Sequence, residues 1–328
     1  MDVVLEFERP VVELRRRIDQ LRTLQETDGV DLSASISDLE NQASRLESRI
    51  FGSLTRWQRT LLARHPARPY ALDFIDNLFL EWTEMHGDRA GYDDRAIVSG
   101  MARFRPTGDA LDDTTVAVIA HQKGRNTKEK LYRNFGMARP DGYRKAMRVM
   151  KLAERFNIPI ITFIDTPGAY PGVDAEERGQ AEAIARSIMD MSRLKVPVIT
   201  VVIGEGGSGG ALAIGVANKV LMLENAVYSV ISPEGCAAIL WRDRAEGPRA
   251  AEALKITALD CVDLGVADGV IPEPVGGAHR SHAEIFANVA ASVRTEMLAL
   301  KDVSKEGLRE DRYARFRAMG RLTERATT

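Results

Sequence analysis

The chain has 328 residues, 45% of them hydrophobic and 28% charged, with a net charge of -2. That is ample material for a core in one large domain or two small ones, and a balance so close to neutrality gives no reason to expect a nucleic-acid or membrane partner. Cys236 and Cys261 are the two cysteines and neither lies in a CxxC pair, which argues against a structural zinc site and for a reducing compartment. Met1 to Leu5 runs straight into Glu6-Phe-Glu-Arg without an apolar leader, and no stretch reaches the roughly eighteen apolar residues of a membrane span. The expected setting is therefore soluble and cytoplasmic.

Residues 10–64 read as helical. Pro10 suits a first helical position, and Val12, Leu14, Ile18, Leu21 and Leu24 follow at loosely helical spacing. Asp28-Gly29 marks a turn. Leu32, Ile36, Leu39, Ala43, Leu46 and Ile50 then form a seam for a partner helix. An antiparallel hairpin results, packed either on its own domain or on another subunit. Pro66 and Pro69 close the region, which divides the chain into a helical extension, 1–66, and a main domain, 67–328.

An amphipathic helix is predicted over Leu72–Met85 and a strand over Ile97–Phe104. An acidic turn, Pro106 to Thr114, leads to a strand at Val116–Ala120. From Lys123 to Lys151 ten Lys or Arg face only Glu129 and Asp141. That excess marks either a site for an anionic ligand or acidic partner, or a solvated helix face. A helix over Gly142–Asn157, a strand at Ile160–Ile164 and a helix over Glu176–Arg193 come next. Asp165-Thr-Pro-Gly-Ala-Tyr-Pro-Gly172 follows that strand, where a site lies in a sheet of this kind. Strands are expected at Val198–Ile203, Lys219–Leu223 and Val227–Ile231, and charged helices after Pro274. The alternation of strand and helix predicts right-handed βαβ units and an α/β fold.

The centre of the chain is Val196 to Ala217. A β-branched run without alternation reads as a strand buried on both faces. Gly204-Glu-Gly-Gly-Ser-Gly-Gly210 follows, then a small-residue helix. Glycines permit a sharp turn and close approach of a ligand, and the first helical turn offers unpaired amides. The stretch can build an oxyanion hole or a phosphate cradle. It lacks the Gly-Lys-Ser/Thr of a P-loop, and its spacing does not match GxGxxG although Glu224 lies at a suitable remove. A glycine turn used only for helix–sheet packing is the bland alternative.

Ser208 in Gly206-Gly-Ser-Gly-Gly210, with His121 at another strand end, resembles a serine-hydrolase turn. A small residue chosen to fit the turn explains it equally simply. Cys236 reads as a packing residue rather than a nucleophile. Glu205 and Glu234 could each act as general acid or base, as in a hydratase, or could serve in capping and ion pairs. Polarisation of a carbonyl by the amides of Gly209 and Gly210 remains, which suits enolate chemistry on a thioester or acyl or carboxyl transfer.

His121-Gln-Lys-Gly-Arg125, Arg133-Asn-Phe-Gly-Met137, Phe163-Ile-Asp-Thr-Pro-Gly-Ala-Tyr-Pro-Gly172, Glu176-Glu-Arg-Gly-Gln180, Gly204 to Gly215 and Ser229-Val-Ile-Ser-Pro-Glu-Gly-Cys236 together resemble the carboxyltransferase alpha subunits of bacterial acetyl-CoA carboxylases. The likeness runs from about Pro10 to about Arg280. It implies a crotonase-like fold of repeated β-β-α turns with a helical N-terminal extension. It implies transfer of a carboxyl group from carboxybiotin on a carrier protein to acetyl-CoA, giving malonyl-CoA for fatty-acid synthesis. The implied partners are a zinc-bearing beta subunit in an α2β2 assembly, the biotin carboxyl carrier protein and, in the wider complex, biotin carboxylase. The resemblance places the hole for the biotin ureido oxygen at Gly209 and Gly210. It places substrate contacts at Gly206, Gly207, Ser208, Lys123, Arg125, Pro167, Gly168 and Tyr170, with no metal in this chain. The hole for the thioester enolate falls to the beta subunit, and no protein base is then required. Lys123 and Arg125 are open between CoA phosphates and the carrier. Two other readings stay open: a stand-alone enoyl-CoA hydratase or isomerase using Glu205 or Glu234, and a non-catalytic scaffold recruiting partners through the hairpin.

Overall fold

A computed structural model describes residues 3–320. Three helices open the chain, α1 (Arg9–Asp28), α2 (Ser33–Gly52) and α3 (Arg56–Ala63). Gly29 ends α1 in the left-handed conformation at φ 67°, so the chain can reverse into α2. Ile18, Ile36 and Ala43 form a small cluster with Leu14, Leu21, Leu32 and Leu39 around it. The seam foreseen from spacing thus closes within the hairpin itself.

α4 (Ala71–Leu78) leads directly into β1 (Phe79–Glu84). The single helix expected over Leu72–Met85 is therefore half strand. From Leu80 onward half-buried and exposed residues alternate, a period of two that suits an edge strand. β2 (Ile97–Phe104) and β3 (Thr115–His121) complete an antiparallel meander with β1, and Arg294 holds the acidic turn between them by pairing with Asp109 and Asp112. The remaining strands are β4 (Ile160–Thr166), β5 (Val198–Gly207), β6 (Lys219–Leu223), β7 (Val227–Ser229) and β8 (Gly269–Ile271). The sheet order is β1-β2-β3-β4-β5-β6-β8, and β7 pairs with the far end of β5. From β3 onward every pairing is parallel.

The crossovers carry α5 (Thr127–Tyr132), α6 (Pro140–Arg155), α7 (Val173–Glu177), α8 (Gln180–Arg193) and α9 (Ser208–Leu212). The predicted helix over Glu176–Arg193 is broken because Gly179 takes φ 81° between α7 and α8. α10 (Pro233–Trp241), α11 (Gly247–Leu254), α12 (Ala258–Asp263), α13 (His282–Leu300) and α14 (Lys305–Arg317) follow. β4 and β5 are buried at nearly every position, as two-sided cover requires. Parallel pairing brings the carboxyl ends of β3, β4 and β5 to one edge. There Arg68, fully buried, forks onto Glu273 at 2.6 and 2.8 Å and donates to the Ile203 carbonyl at 3.0 Å. That pairing ties the segment before α4 to β5. Among the described residues no helix is long and apolar enough to cross a membrane.

Candidate active site

β5 continues four residues beyond its predicted end and takes up Gly204, Glu205, Gly206 and Gly207. The reversal into α9 occurs at Ser208, which holds φ 58°. The glycines therefore serve close approach more than turning. A Cβ on Gly207 would overlap the Pro167 carbonyl oxygen, and one on Gly210 would overlap the Ala169 amide nitrogen. Added to Gly206 it would stand 2.6 Å from the Tyr228 ring, and to Gly204 2.5 Å from the Asp165 carboxylate. The loop after β4 thus lies directly on the turn after β5. Gly209 is less confined, since its Cβ would meet only the Ile184 side chain, at 3.3 Å. Gly207 occupies the N-cap and has no side chain to cap the first-turn amides of α9. Those of Gly209 and Gly210 are left as donors.

A chain of alternating charges lies against the turn. Lys123 donates to Asp165 at 2.7 Å and to Glu205 at 3.0 Å. Arg64 donates to Glu205 at 2.6 Å and to Glu234 at 2.5 Å. Asp165 also accepts from the Glu205 amide at 3.0 Å, which fixes β4 to β5 at this level. Burial alone pushes the Glu205 carboxyl up, but Lys123 and Arg64 overcome it and hold the group at about 2. Burial likewise opposes the charge on Lys123 and Arg64, and the flanking carboxylates reverse that and raise both. Glu234 is lowered in the same way, chiefly by its bonds to Arg64. A carboxylate pinned between two cations is a poor proton acceptor, so this geometry opposes a general base at Glu205.

The structure brings Gly206, Gly207, Ser208, Gly209 and Gly210 together with Pro167 and Gly168. A Cβ on Gly168 would lie 3.6 Å from that of Ser208. Lys123 joins them through Asp165 and Glu205, with its charge answered inside the chain. Tyr170 lies further along the same loop, its ring under the Arg139 guanidinium at 4.4 Å and its carbonyl accepting from Gln180 at 2.9 Å. Arg125 stands apart, over the Tyr70 ring at 4.8 Å and paired with Asp73. Ser208 is exposed, but His121 is no partner for it. The imidazole is wholly buried, neither ring nitrogen has a hydrogen bond among the described residues, and burial followed by the Lys123 charge brings it to about 3. Cys261 is buried and its thiol is pushed up to about 12, first by burial and then by Asp260. Arg64 escaped sequence reasoning, since nothing near it in sequence announces a partner at position 205 or 234.

A cavity of about 530 Å3 opens beside the turn, bounded by Ser208, Gly209, Leu212, Tyr228, Ile256 and Phe316. Its size and largely apolar wall suit a small organic ligand. A second group, Glu8, His65 and His279, places potential metal ligands within 4.8 Å of one another. Most of its polar atoms are engaged within the chain, although the buried His279 Nδ1 has no hydrogen-bond partner among the described residues. His65 bonds the Val3 carbonyl at 2.9 Å and accepts from the Ala67 amide at 3.2 Å, while Glu8 pairs with His279 and Arg280. The cluster acts as a clamp on the start of the chain.

The family model for acetyl co-enzyme A carboxylase carboxyltransferase-like proteins matches residues 4–320. The chain belongs to this family. It is 58% identical over 325 residues to the acetyl-coenzyme A carboxylase carboxyl transferase subunit alpha of Syntrophotalea carbinolica, covering 99% of this chain and 100% of that protein. It is 56% identical to the Thermus thermophilus subunit of the same name, covering 98% and 99%. Among solved structures it resembles a transcarboxylase 12S chain at a TM-score of 0.55 and 21% identity, covering 80% of this chain and 44% of that one. A Pseudomonas malonate decarboxylase hetero-tetramer matches at 0.54 and 16%, covering 69% and 90%. These two likenesses establish the fold, which is crotonase-like, as expected. The chain spans less than half of the transcarboxylase chain. Family membership makes the chain a carboxyltransferase component and the alpha member of a multi-subunit enzyme.

Proposed function

We propose that the chain is the alpha half of a two-subunit carboxyltransferase that forms malonyl-CoA from acetyl-CoA, and that its turn at 207–210 binds the ureido oxygen of biotin. The observation that supports this most is the uncapped first turn of α9 at the rim of an apolar cavity. The donor set fits the group: amide N–H from Gly209 and Gly210 for one oxygen, and an apolar wall for a fused ring and its aliphatic tail. Carboxybiotin, when bound, supplies the carboxyl group. The amides of this chain stabilise negative charge on the oxygen they hold, worth roughly 3–4 kcal/mol per donor in comparable holes.

Lys123 acts here as a positioning residue, holding β4 and β5 level so that Pro167 and Gly168 seat the turn. Gly206, Gly207, Ser208, Pro167, Gly168 and Tyr170 form the substrate-facing rim, with Arg125 at its outer edge. The main domain, 67–328, carries the chemistry, and the extension, 1–66, contributes Arg64 to the charge chain. The thioester enolate is held by a zinc-bearing beta subunit in a cytoplasmic α2β2 assembly, served by a biotinylated carrier protein and a biotin carboxylase.

The test is decarboxylation of malonyl-CoA with free biocytin as acceptor, run with the chain alone and with its beta partner. Turnover only in the presence of the partner is expected. Hydration of an enoyl-CoA by the chain alone, or transfer without the partner, would contradict the reading.

A further inference from the structure

The segment that joins β3 to α6 presents an exposed apolar face beside the candidate site. Leu131, Tyr132 and Phe135 are 65%, 53% and 46% exposed. The backbone that displays them is strained. Asn134 and Phe135 hold φ 46° and 56°, and Gly136 follows at 77°. In the left-handed region a Cβ crowds the carbonyl that follows it, and such strain persists where the surroundings impose it, often at functional sites. Here the surroundings belong to the site. A Cβ on Gly136 would stand 2.9 Å from the Lys123 side chain and 3.1 Å from the Asp165 carbonyl oxygen. Two residues on, the Ala138 carbonyl accepts from the Tyr170 amide at 3.0 Å. The segment is thereby tied to the loop that carries Pro167 and Gly168.

The charges beside the face indicate its partner. From Lys123 to Arg139 six Lys or Arg stand against one acid, Glu129. Glu129 accepts from the Arg125 amide at 2.9 Å and from the Asn126 side chain at 2.7 Å, so it closes the turn into α5. Lys123, Arg125 and Arg139 pair with carboxylates elsewhere in the chain. Lys128 and Lys130 of α5 make no side-chain bond among the described residues. Arg133 bonds only the Arg95 carbonyl, at 3.0 Å, and lies over the Tyr132 ring at 5.1 Å. Apolar rings flanked by uncompensated cations fit an acidic protein surface, which the cations steer in and the rings hold. A permanent subunit contact is broad and more apolar, whereas a compact face with charged flanks fits a partner that docks and leaves.

We propose that this face, α5 with the turn at 133–136, docks an acidic carrier domain that brings the carboxyl donor to the turn at 207–210. The proposal rests on the carboxyl-transfer reading and extends it, because a donor tethered to a protein needs a docking face beside the site as well as a pocket within it. Tyr132 and Phe135 anchor the domain, and Lys128 and Lys130 attract it. None of the four lines the cavity at the turn, so a small donor without a carrier does not use them.

The test compares two substrates of the assembled enzyme, free biocytin and its biotinylated carrier protein, in carboxyl transfer from malonyl-CoA. Phe135→Gly and, separately, Lys128→Glu with Lys130→Glu should each raise KM for the carrier by roughly tenfold and leave kcat and KM for biocytin unchanged. Glycine adopts a φ of 56° freely, and the two lysine side chains bond nothing among the described residues, so both variants keep the fold. KM for the carrier should also rise with salt in the unmodified enzyme, and less steeply in the lysine variant. An unchanged KM for the carrier in either variant would overturn the proposal. So would an equal loss with both substrates, which would assign the face to the site itself or to the subunit contact. If the unmodified assembled enzyme turned over neither substrate, the carboxyl-transfer reading would fall, and the proposal with it.

Discussion

The N-terminal hairpin and the carboxyl edge of the sheet are held together by opposite means. The hairpin rests on one seam with three buried apolar residues and on ion pairs in water, such as Arg22 to Glu40, whose side chains are 57% and 44% exposed. The sheet edge rests on glycines that permit backbone contact and on a chain of charges, largely removed from water at Asp165, Lys123 and Glu205 and half-buried at Arg64 and Glu234. Exposed pairs contribute little, while a buried pair broken on one side leaves a stranded charge. The hairpin should therefore tolerate change that the sheet edge does not.

The largest effect is expected from Lys123→Met, which leaves Asp165 and Glu205 facing each other without their shared cation. A loss of about 3–5 kcal/mol in urea unfolding is predicted. Gly210→Ala comes next, because its methyl group meets the Ala169 and Gly168 backbone rather than a flexible side chain. It should lower kcat by roughly 100-fold or more in the assembled enzyme, with a smaller loss of stability.

Glu205 provides a test by pH. Its folded value of about 2 lies below the ordinary 4.5, so its contribution is fully present above 4.5 and is lost as pH falls toward 2. Glu205→Gln should be less stable than the unmodified chain at neutral pH, and the gap should close on acidification through that window. A gap that stays constant with pH would show that the carboxylate is not held by Lys123 and Arg64. The smallest effect belongs to the hairpin: Arg22→Ala should change stability by about 0–1 kcal/mol and leave turnover of free biocytin untouched. A loss as large as that of Lys123→Met would erase the contrast between the two regions.

The same contrast explains what could be read from sequence. Ile36, Leu39 and Ala43 interact at helical spacing, so their seam was visible as a period. The buried strands β4 and β5 were visible as β-branched runs. β1 was hidden because Leu72 to Met85 fits a helical period about as well as a strand of half that length, and only pairing with β2 decides the matter. The glycines of β5 suggested a sharp turn, yet the positive φ belongs to Ser208, and the need for glycine comes from Pro167 and Ala169 some forty positions earlier. Lys123 and Arg125 looked alike in a basic stretch. One is enclosed by Asp165 and Glu205, and the other lies at the surface with Asp73. Contacts between residues 64, 123, 165, 205 and 234 leave no local pattern, so that charge chain could not be read in advance.

The central claim is that the amides at Gly209 and Gly210 stabilise negative charge developing on the biotin ureido oxygen they hold. It is tested most directly by Gly209→Val in the assembled enzyme, measured by malonyl-CoA decarboxylation with biocytin. Gly209 has more room than Gly210, since only Ile184 stands in the way, so an unchanged circular dichroism spectrum would separate catalysis from folding. A fold left intact with kcat reduced by roughly 100-fold is the predicted result. An intact fold with unchanged kcat would contradict the account.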